Sequence, residues 1–138
     1  MPSIFSKIVA GEIPAYKVAE SNDFLAFLDI SPLKEGHVLV IPKQEVDYLF
    51  DLDDETYTGL QLFAKIVAKG LNEAIPCERI GVVVMGLEVP HAHIHLIPMN
   101  EMNDLNFANP KLKLTPEQFE TIAQKIKTAL REDYKADL

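Results

Sequence analysis

The sequence predicts an α+β fold with a mainly antiparallel sheet, a long central helix and a C-terminal helix. Helix-like and strand-like segments follow one another in the order helix, three strands, long helix, two strands, helix. Short, hairpin-like connections between neighbouring strand segments favour antiparallel pairing. We expect residues 1–138 to form one domain, because a chain of this length buries roughly two-thirds of its unfolded surface.

The first half of the chain contains one short helix and three strand segments. Residues 3–10 are predicted as a helix, with Ser3 as its cap and Gly11 as its stop. Residues 16–19 and 24–29 are predicted as strands on either side of a polar turn, and residues 37–41 as a third strand. The second strand is apolar throughout, which predicts burial on both of its faces.

The second half begins with a helical turn at residues 44–50 and a long helix at residues 54–74. One apolar stripe runs along this helix at spacings of three and four residues, which is typical of a buried face: Tyr57, Leu60, Ala64, Val67 and Leu71. A β-branched strand follows at residues 79–85. A polar, irregular segment at residues 100–113 leads to a capping box at Thr115 and a last helix from about 115 to 133. Its predicted buried face contains Phe119, Ile122, Ala123, Ile126 and Leu130.

Composition and charge exclude several classes of protein. The net charge of −8 argues against sequence-independent binding to a nucleic-acid backbone. The single cysteine, Cys77, permits no intrachain disulfide and fits a reducing compartment. No apolar run approaches the length of a membrane span, and the first residues do not form a signal peptide. The expected location is therefore the cytoplasm.

The most informative stretch is the alternation of three histidines with apolar residues at residues 91–96. Period-two alternation predicts a half-buried strand that presents His91, His93 and His95 on one face. The fourth histidine, His37, begins another strand segment. All four histidines of the chain thus lie in two strand segments, which indicates a single site.

Three interpretations of the histidine row remain open from the residues alone. A purely structural role is the weakest, since a solvated face is more often built from Lys, Glu or Thr. Two histidines at i and i+2, with His37 as a third ligand, would suit a zinc-dependent hydrolase. The third interpretation is nucleophilic catalysis on phosphorus, in which a neutral imidazole held in one tautomer forms a covalent intermediate.

The row His91 to Ile97 resembles the motif of the histidine-triad (HIT) family, in which three histidines alternate with apolar residues. Four upstream segments also resemble family segments, in family order: residues 4–8, 13–15, 27–32 and 36–42. Together they cover about the first hundred residues, and the predicted helix at about 115–133 lies outside them. The resemblance implies an antiparallel sheet with helices and a homodimer in which two sheets join.

By the same resemblance the chain is expected to bind a nucleotide, commonly one with a purine base, and to act at the α-phosphate. The middle histidine, His93, is then the nucleophile that carries the nucleotidyl group. His95 and His37 contact phosphate or support the nucleophile, and His91 orders the strand. Asp29 occupies the position that binds ribose hydroxyls. Six residues are expected at the base pocket: Phe5, Ile8, Phe27, Ile30, Leu39 and Val89.

Two departures from the family pattern concern the phosphate loop and a zinc site. Many members carry a polar pair in the loop before the nucleophile, where this chain has Leu87 and Glu88. Leu87 cannot bind phosphate, and Glu88 would serve as a proton donor to a leaving amine if the folded chain buries it. Ser3 and Ser6 stand where some members carry zinc-binding cysteines, so we expect no metal at that position and no cofactor.

The sequence therefore predicts a nucleotide hydrolase that acts on nucleoside phosphoramidates or adenylylated small molecules, with dinucleoside polyphosphates as a second choice. The rival hypotheses are a nucleotide-binding module with little catalysis and the metal-dependent hydrolase.

Overall fold

The computed structural model describes residues 2–136 and contains a five-stranded antiparallel sheet with three α-helices. The strands, in the order in which they lie side by side, are β1 Lys17–Glu20, β2 Phe24–Leu28, β3 Val38–Pro42, β5 Ile94–Met99 and β4 Arg79–Val83. Every neighbouring pair is antiparallel. This architecture confirms the predicted α+β class and the mainly antiparallel sheet.

Side-chain caps define where the helices begin. Helix α1 (Ile4–Val9) starts after Ser3, α2 (Asp54–Ala74) after Asp53, and α3 (Pro116–Ala129) after Thr115, which forms a capping box with Gln118. Each cap satisfies a backbone N–H that has no partner within its helix. None of the helices within residues 2–136 is long and apolar enough to cross a bilayer.

The sheet has a large core on one face and a smaller one on the other. The predicted stripes of α2 and α3 are buried in the large core, except that Tyr57 is half-buried. Helix α1 packs on the opposite face, against alternate residues of β2 and β3. Strand β2 is therefore covered on both sides, as its continuous apolar sequence predicted, with Leu25 and Phe27 on the α1 side and Ala26 and Leu28 on the other.

Several predicted boundaries differ from the structure. Strand β5 begins at Ile94, so His91 and His93 precede it, because the backbone N–H of Ala92 is bonded to the carbonyl of Val46 instead of to a strand. The turn predicted at residues 44–50 is a 3₁₀ turn at Leu49–Asp51. The 3₁₀ turn at Met102–Leu105 was not predicted. The last helix, expected to reach about residue 133, ends at Ala129 and is followed by a 3₁₀ turn at Glu132–Tyr134.

The expectation that the histidine row is half-buried was wrong. All residues from His91 to Pro98 are buried. The alternation itself holds, since Ala92, Ile94 and Leu96 enter the large core. The histidine face is covered because the ring of Phe5, on α1, packs edge-on against His91 and His93. The histidine face, which the sequence pattern predicted to be exposed to solvent, is therefore enclosed by α1, a helix that is distant in the sequence.

Replacing Leu60 by alanine tests the large core. Leu60 is fully buried on α2, whereas Leu62 on the same helix is 56% exposed. We expect Leu60→Ala to lower the free energy of unfolding by about 2–5 kcal/mol, because it leaves a cavity. Leu62→Ala should change it by no more than about 0.5 kcal/mol. Urea unfolding of both variants measures the difference, and equal losses would contradict the assignment of the buried stripe.

Candidate active site

The site forms where strands β3 and β5 lie side by side. Their register places Leu39 opposite His95 and Val38 opposite Leu96. His37, which directly precedes β3, therefore reaches His95. Gly36 makes the turn before His37 with a φ of 89°, and a Cβ there would lie 3.0 Å from a side-chain carbon of Ile75. The approach of the loop to α2 and the positive φ both favour glycine at this position.

A chain of hydrogen bonds fixes the tautomers of His37 and His95. The backbone N–H of Leu33 donates to His37 Nδ1 at 3.0 Å, so the proton of the neutral His37 ring is on Nε2. His37 Nε2–H then donates to His95 Nδ1 at 2.9 Å. The proton of the neutral His95 ring is consequently on Nε2, which has no partner among residues 2–136. The strand pair thus leaves one N–H available to a ligand.

Burial keeps this histidine pair neutral. Burial, with smaller contributions from His95 and Lys111, lowers the pKa of His37 to about 3. Burial and the neighbouring His93 lower the pKa of His95 to about 4. Both rings are therefore uncharged near neutral pH, which is the protonation state that their hydrogen bond requires.

His93 is held in the complementary tautomer. Its Nδ1–H donates to the backbone carbonyl of His91 at 2.7 Å. In the neutral ring the lone pair is then on Nε2, and no group within residues 2–136 is bonded to it. The ring lies beside that of His95, with 5.0 Å between the centroids. A basic nitrogen and an N–H donor thus occupy one small region, an arrangement that suits attack on a phosphorus whose oxygens accept hydrogen bonds.

His91 orders the backbone and is anchored by groups that sequence reasoning did not assign to it. Its Nε2–H donates to the carbonyl of Pro42 at 2.8 Å, and its Nδ1 accepts from the Ser3 hydroxyl at 2.8 Å. Burial lowers the pKa of His91, with opposing contributions from Pro42 and Glu45. The ordering role expected for His91 is consistent with these two bonds, which fix the carbonyl that His93 uses.

Glu45 joins Ser3 and Ser6 into one network. The backbone N–H of Ser3 and the hydroxyl of Ser6 each donate to Glu45 Oε1 at 2.6 Å. These two bonds lower the pKa of the Glu45 carboxyl to about 2, so it is ionised. Glu45 is separated from Ser3 by 42 residues, and no spacing in the sequence indicated their contact. Hydroxyls and a carboxylate thus occupy this position and tie the start of α1 to His91.

Asp29 lies at the edge of the histidine pair. Its Oδ1 accepts from the backbone N–H of Ser31 at 2.8 Å, and its Oδ2 is 3.6 Å from His37 Nε2. Burial raises the pKa of Asp29, opposed by the Ser31 N–H, His93 and Lys111. The carboxylate keeps its remaining acceptor positions for other donors.

Asp29, His37 and His95 could also supply three metal-ligand atoms, which lie within 4.8 Å of one another. This trio differs from the expected zinc set, because it includes only one histidine of the row. The hydrogen bond between His37 Nε2 and His95 Nδ1 already uses the lone pair of His95 that an ion would need. The site within residues 2–136 is thus arranged as a hydrogen-bonded pair.

Five of the six residues expected at the base pocket come together. Phe5, Ile8, Phe27 and Leu39 are buried in the smaller core, and Val89 packs against it. Ile30 does not join them, because its side chain is 70% exposed. The smaller core is therefore built by α1, β2 and β3, with Ile30 outside the packed cluster.

The loop before the histidines places Leu87 and Glu88 in solvent. Leu87 is 91% exposed, and Glu88 is also exposed. The burial on which a proton-donor role for Glu88 was conditional is therefore not found. Phe107, which the sequence did not single out, packs against His37 and His95 from the segment that follows β5.

Comparison with known proteins identifies relatives over most of the chain. The HIT domain family matches residues 10–102. The adenosine 5'-monophosphoramidase of Schizosaccharomyces pombe is 36% identical over 137 residues, which covers 95% of this chain and all of that protein. The adenosine 5'-monophosphoramidase of Saccharomyces cerevisiae is 40% identical over 71% of this chain and 63% of its own length. The crystal structure of a Hit-like protein from Bartonella henselae superimposes with a TM-score of 0.81 at 34% identity, over 93% of this chain and 96% of that one.

Replacing Ser3 by alanine tests the anchoring network. The change removes both the cap of α1 and the donor to His91 Nδ1. We expect a loss of about 1–3 kcal/mol in the free energy of unfolding, because α1 loses its cap and the buried His91 Nδ1 keeps only the longer, 3.5 Å contact with the Ser6 hydroxyl. Ser6→Ala is the matched control and should cost less than about 1 kcal/mol, since its bond to Glu45 is exposed. Thermal and urea unfolding distinguish them, and a neutral Ser3→Ala would refute the role of the network.

Proposed function

Because the chain belongs to the histidine-triad (HIT) family, we propose that it is a nucleotide hydrolase that acts at the α-phosphate of nucleoside phosphoramidates or related adenylylated compounds. The observation that carries the proposal is the fixed tautomer of His93, whose Nδ1–H is held by the His91 carbonyl and whose Nε2 has no hydrogen-bond partner among residues 2–136. The two yeast relatives named as adenosine 5'-monophosphoramidases support the P–N bond as the preferred target.

The reaction proceeds in two displacements at phosphorus. His93 Nε2 attacks the α-phosphorus, the P–N bond breaks, and the amine leaves with a proton taken from solvent water. Water then attacks the nucleotidyl-histidine, which releases the nucleoside monophosphate and restores the free imidazole. The N–H of His95 donates to a phosphate oxygen as charge develops on it, and His37 holds that donor in place.

The nucleoside binds on the α1 side of the sheet. Asp29 accepts hydrogen bonds from the ribose hydroxyls. It uses the carboxylate lone pairs that the backbone N–H of Ser31 does not occupy. Phe5, Ile8, Phe27, Leu39 and Val89 contact a purine base, for which a flat apolar pocket is suited. The exposed Ile30 contacts the base only at the rim of this pocket.

The leaving group lies toward the Gly86–Pro90 loop. Neither Leu87 nor the exposed Glu88 offers phosphate a hydrogen-bond donor, so this loop does not favour a second phosphate group. Small amines are thus preferred over dinucleoside polyphosphates. Glu88, being exposed, can pass a proton to the departing amine only through solvent.

A homodimer is the proposed assembly. Strand β4 is the last strand of the sheet, and its exposed side chains include Val82 at 59% exposed and, just past its end, Val84. An edge strand with exposed aliphatic residues is a ready surface for pairing with a second copy. With one cysteine, the chain suits a reducing compartment, and we place the reaction in the cytoplasm.

A mass spectrum of the protein after brief incubation with an adenosine phosphoramidate tests the mechanism. We expect a mass gain of one adenylyl group in the wild type and none in His93→Ala, which should also lose turnover by at least about 10³-fold while retaining its melting temperature. Full turnover by His93→Ala would overturn the assignment of the nucleophile.

The same experiment separates the rival hypotheses. Turnover without an adduct that is abolished by a chelator would indicate a metal-dependent hydrolase. Nucleotide binding without turnover would indicate a binding module. Glu88→Gln serves as a control in the same loop and is expected to keep the adduct.

Introducing charged residues on the exposed edge of β4 tests the proposed dimer. The double variant Val82→Lys with Val84→Lys should sediment as a monomer, because like charges would face each other across the pairing edge. The control Val82→Thr keeps strand propensity without charge and should remain dimeric. A dimeric lysine variant, or a monomeric wild type at micromolar concentration, would refute this interface.

A further inference from the structure

The segment that follows β5 is fastened to the loop that leads into His37. We call residues 100–113 the covering segment. Asp104, within its 3₁₀ turn, forms an ion pair with Lys34 at 2.9 Å. Nearer its end, the backbone N–H of Leu112 donates to the carbonyl of Pro32 at 2.8 Å. Two attachments on either side of Phe107 thus hold the segment against the site.

Between these attachments Phe107 packs on the histidine pair. Its ring contacts His95 edge-on, with 5.0 Å between centroids and 78° between planes, and His37 at 6.1 Å and 84°. Phe107 is half-buried, whereas the two histidines are buried. The ring therefore stands between the His37–His95 hydrogen bond and solvent, in a geometry that aromatic rings prefer.

The charged and titratable groups around the pair are few. Asp29 faces His37 from the loop after β2, and His93 faces His95 from its own strand segment. Lys111 belongs to the covering segment, where its Nζ donates to the carbonyls of Phe107 and Asn109. Its ammonium lies 5.9 Å from the centre of the Phe107 ring. The apolar ring is thus the part of the covering segment that touches the imidazoles.

We propose that Phe107 is a positioning residue that excludes water from the His37–His95 hydrogen bond and so keeps the N–H of His95 on Nε2, directed to substrate. The inference rests on the proposed function, since it concerns the protection of the donor that His95 offers to phosphate, whose tautomer the Leu33 N–H sets through His37. Phe107 offers no polar atom to a phosphate and acts only through the two rings. Water admitted at this point would compete for His95 Nδ1 and permit the ring to protonate there.

The test compares Phe107→Ala with Phe107→Leu and with Leu105→Ala. Leu105 is the matched control, because it lies in the same segment but its side chain packs at Gly81 of β4. Imidazole ¹⁵N shifts, recorded against pH without substrate, report the tautomer and titration of His95. The pH profile of kcat/KM for an adenosine phosphoramidate reports the effect on catalysis.

Removing the ring should move the titration of His95. We expect its pKa, about 4 in the wild type, to rise by about one unit in Phe107→Ala, since the group becomes hydrated. The Nδ1–H tautomer of His95 lacks the Nε2–H donor, so kcat/KM should fall in Phe107→Ala also at about pH 8, where both rings are neutral. Phe107→Leu should restore most of the wild-type behaviour, and Leu105→Ala should not shift either curve.

Two results would overturn the proposal. One is that His95 in Phe107→Ala has the same pKa and the same tautomer as in the wild type. The other is an equal, pH-independent loss of activity in Phe107→Ala and Leu105→Ala, which would indicate only destabilisation of the segment. If the wild type turns over no nucleotide, the proposed function fails, yet the ¹⁵N shifts still decide the role of Phe107.

Discussion

The hydrogen bond from His37 Nε2 to His95 Nδ1 is the contact on which the geometry of the site depends. It exists because β3 and β5 are neighbours in the sheet and because the Leu33 N–H settles which nitrogen of His37 is protonated. A backbone group thus determines, through two neutral rings, the nitrogen that His95 presents to a ligand. The strands contribute position, while burial contributes the neutral charge state. Neither would suffice alone, because a charged ring donates from both nitrogens and would leave the N–H that bonds to its Nδ1 without an acceptor.

The fold separates stability from chemistry across the two faces of the sheet. Helices α2 and α3 cover one face and bury the larger core, so the sheet remains rigid whatever lies on the other side. Helix α1 covers the second face with two buried residues, Phe5 and Ile8, and its attachment depends on a polar network around Glu45. The site therefore rests on a rigid platform but is closed by small elements: α1 at His91 and His93, and the covering segment at His37 and His95.

The sequence predicted most of the fold because its signals are local. The stripe of α2, the capping box at Thr115 and the alternation around His93 each follow from periodicity within one element. What it missed depends on contacts between distant residues. Burial of the histidine face requires α1, the anchoring of His91 requires Glu45, and the contact with Phe107 requires the fold of residues 100–113. The exposure of Ile30 and Glu88 is likewise a matter of tertiary packing that single-residue patterns do not contain.

Burying uncharged histidines links folding to proton release. His37 and His95 have folded pKa values of about 3 and about 4, below the ordinary 6.5 of an unfolded chain. Below pH 6.5 the unfolded chain therefore binds more protons than the native one. The free energy of unfolding is at its full value above that pH and falls as the pH descends toward the folded values. Acid thus opposes the neutral, hydrogen-bonded state of these two rings and the native state together, so that the geometry of the site and the fold are lost through the same protonations.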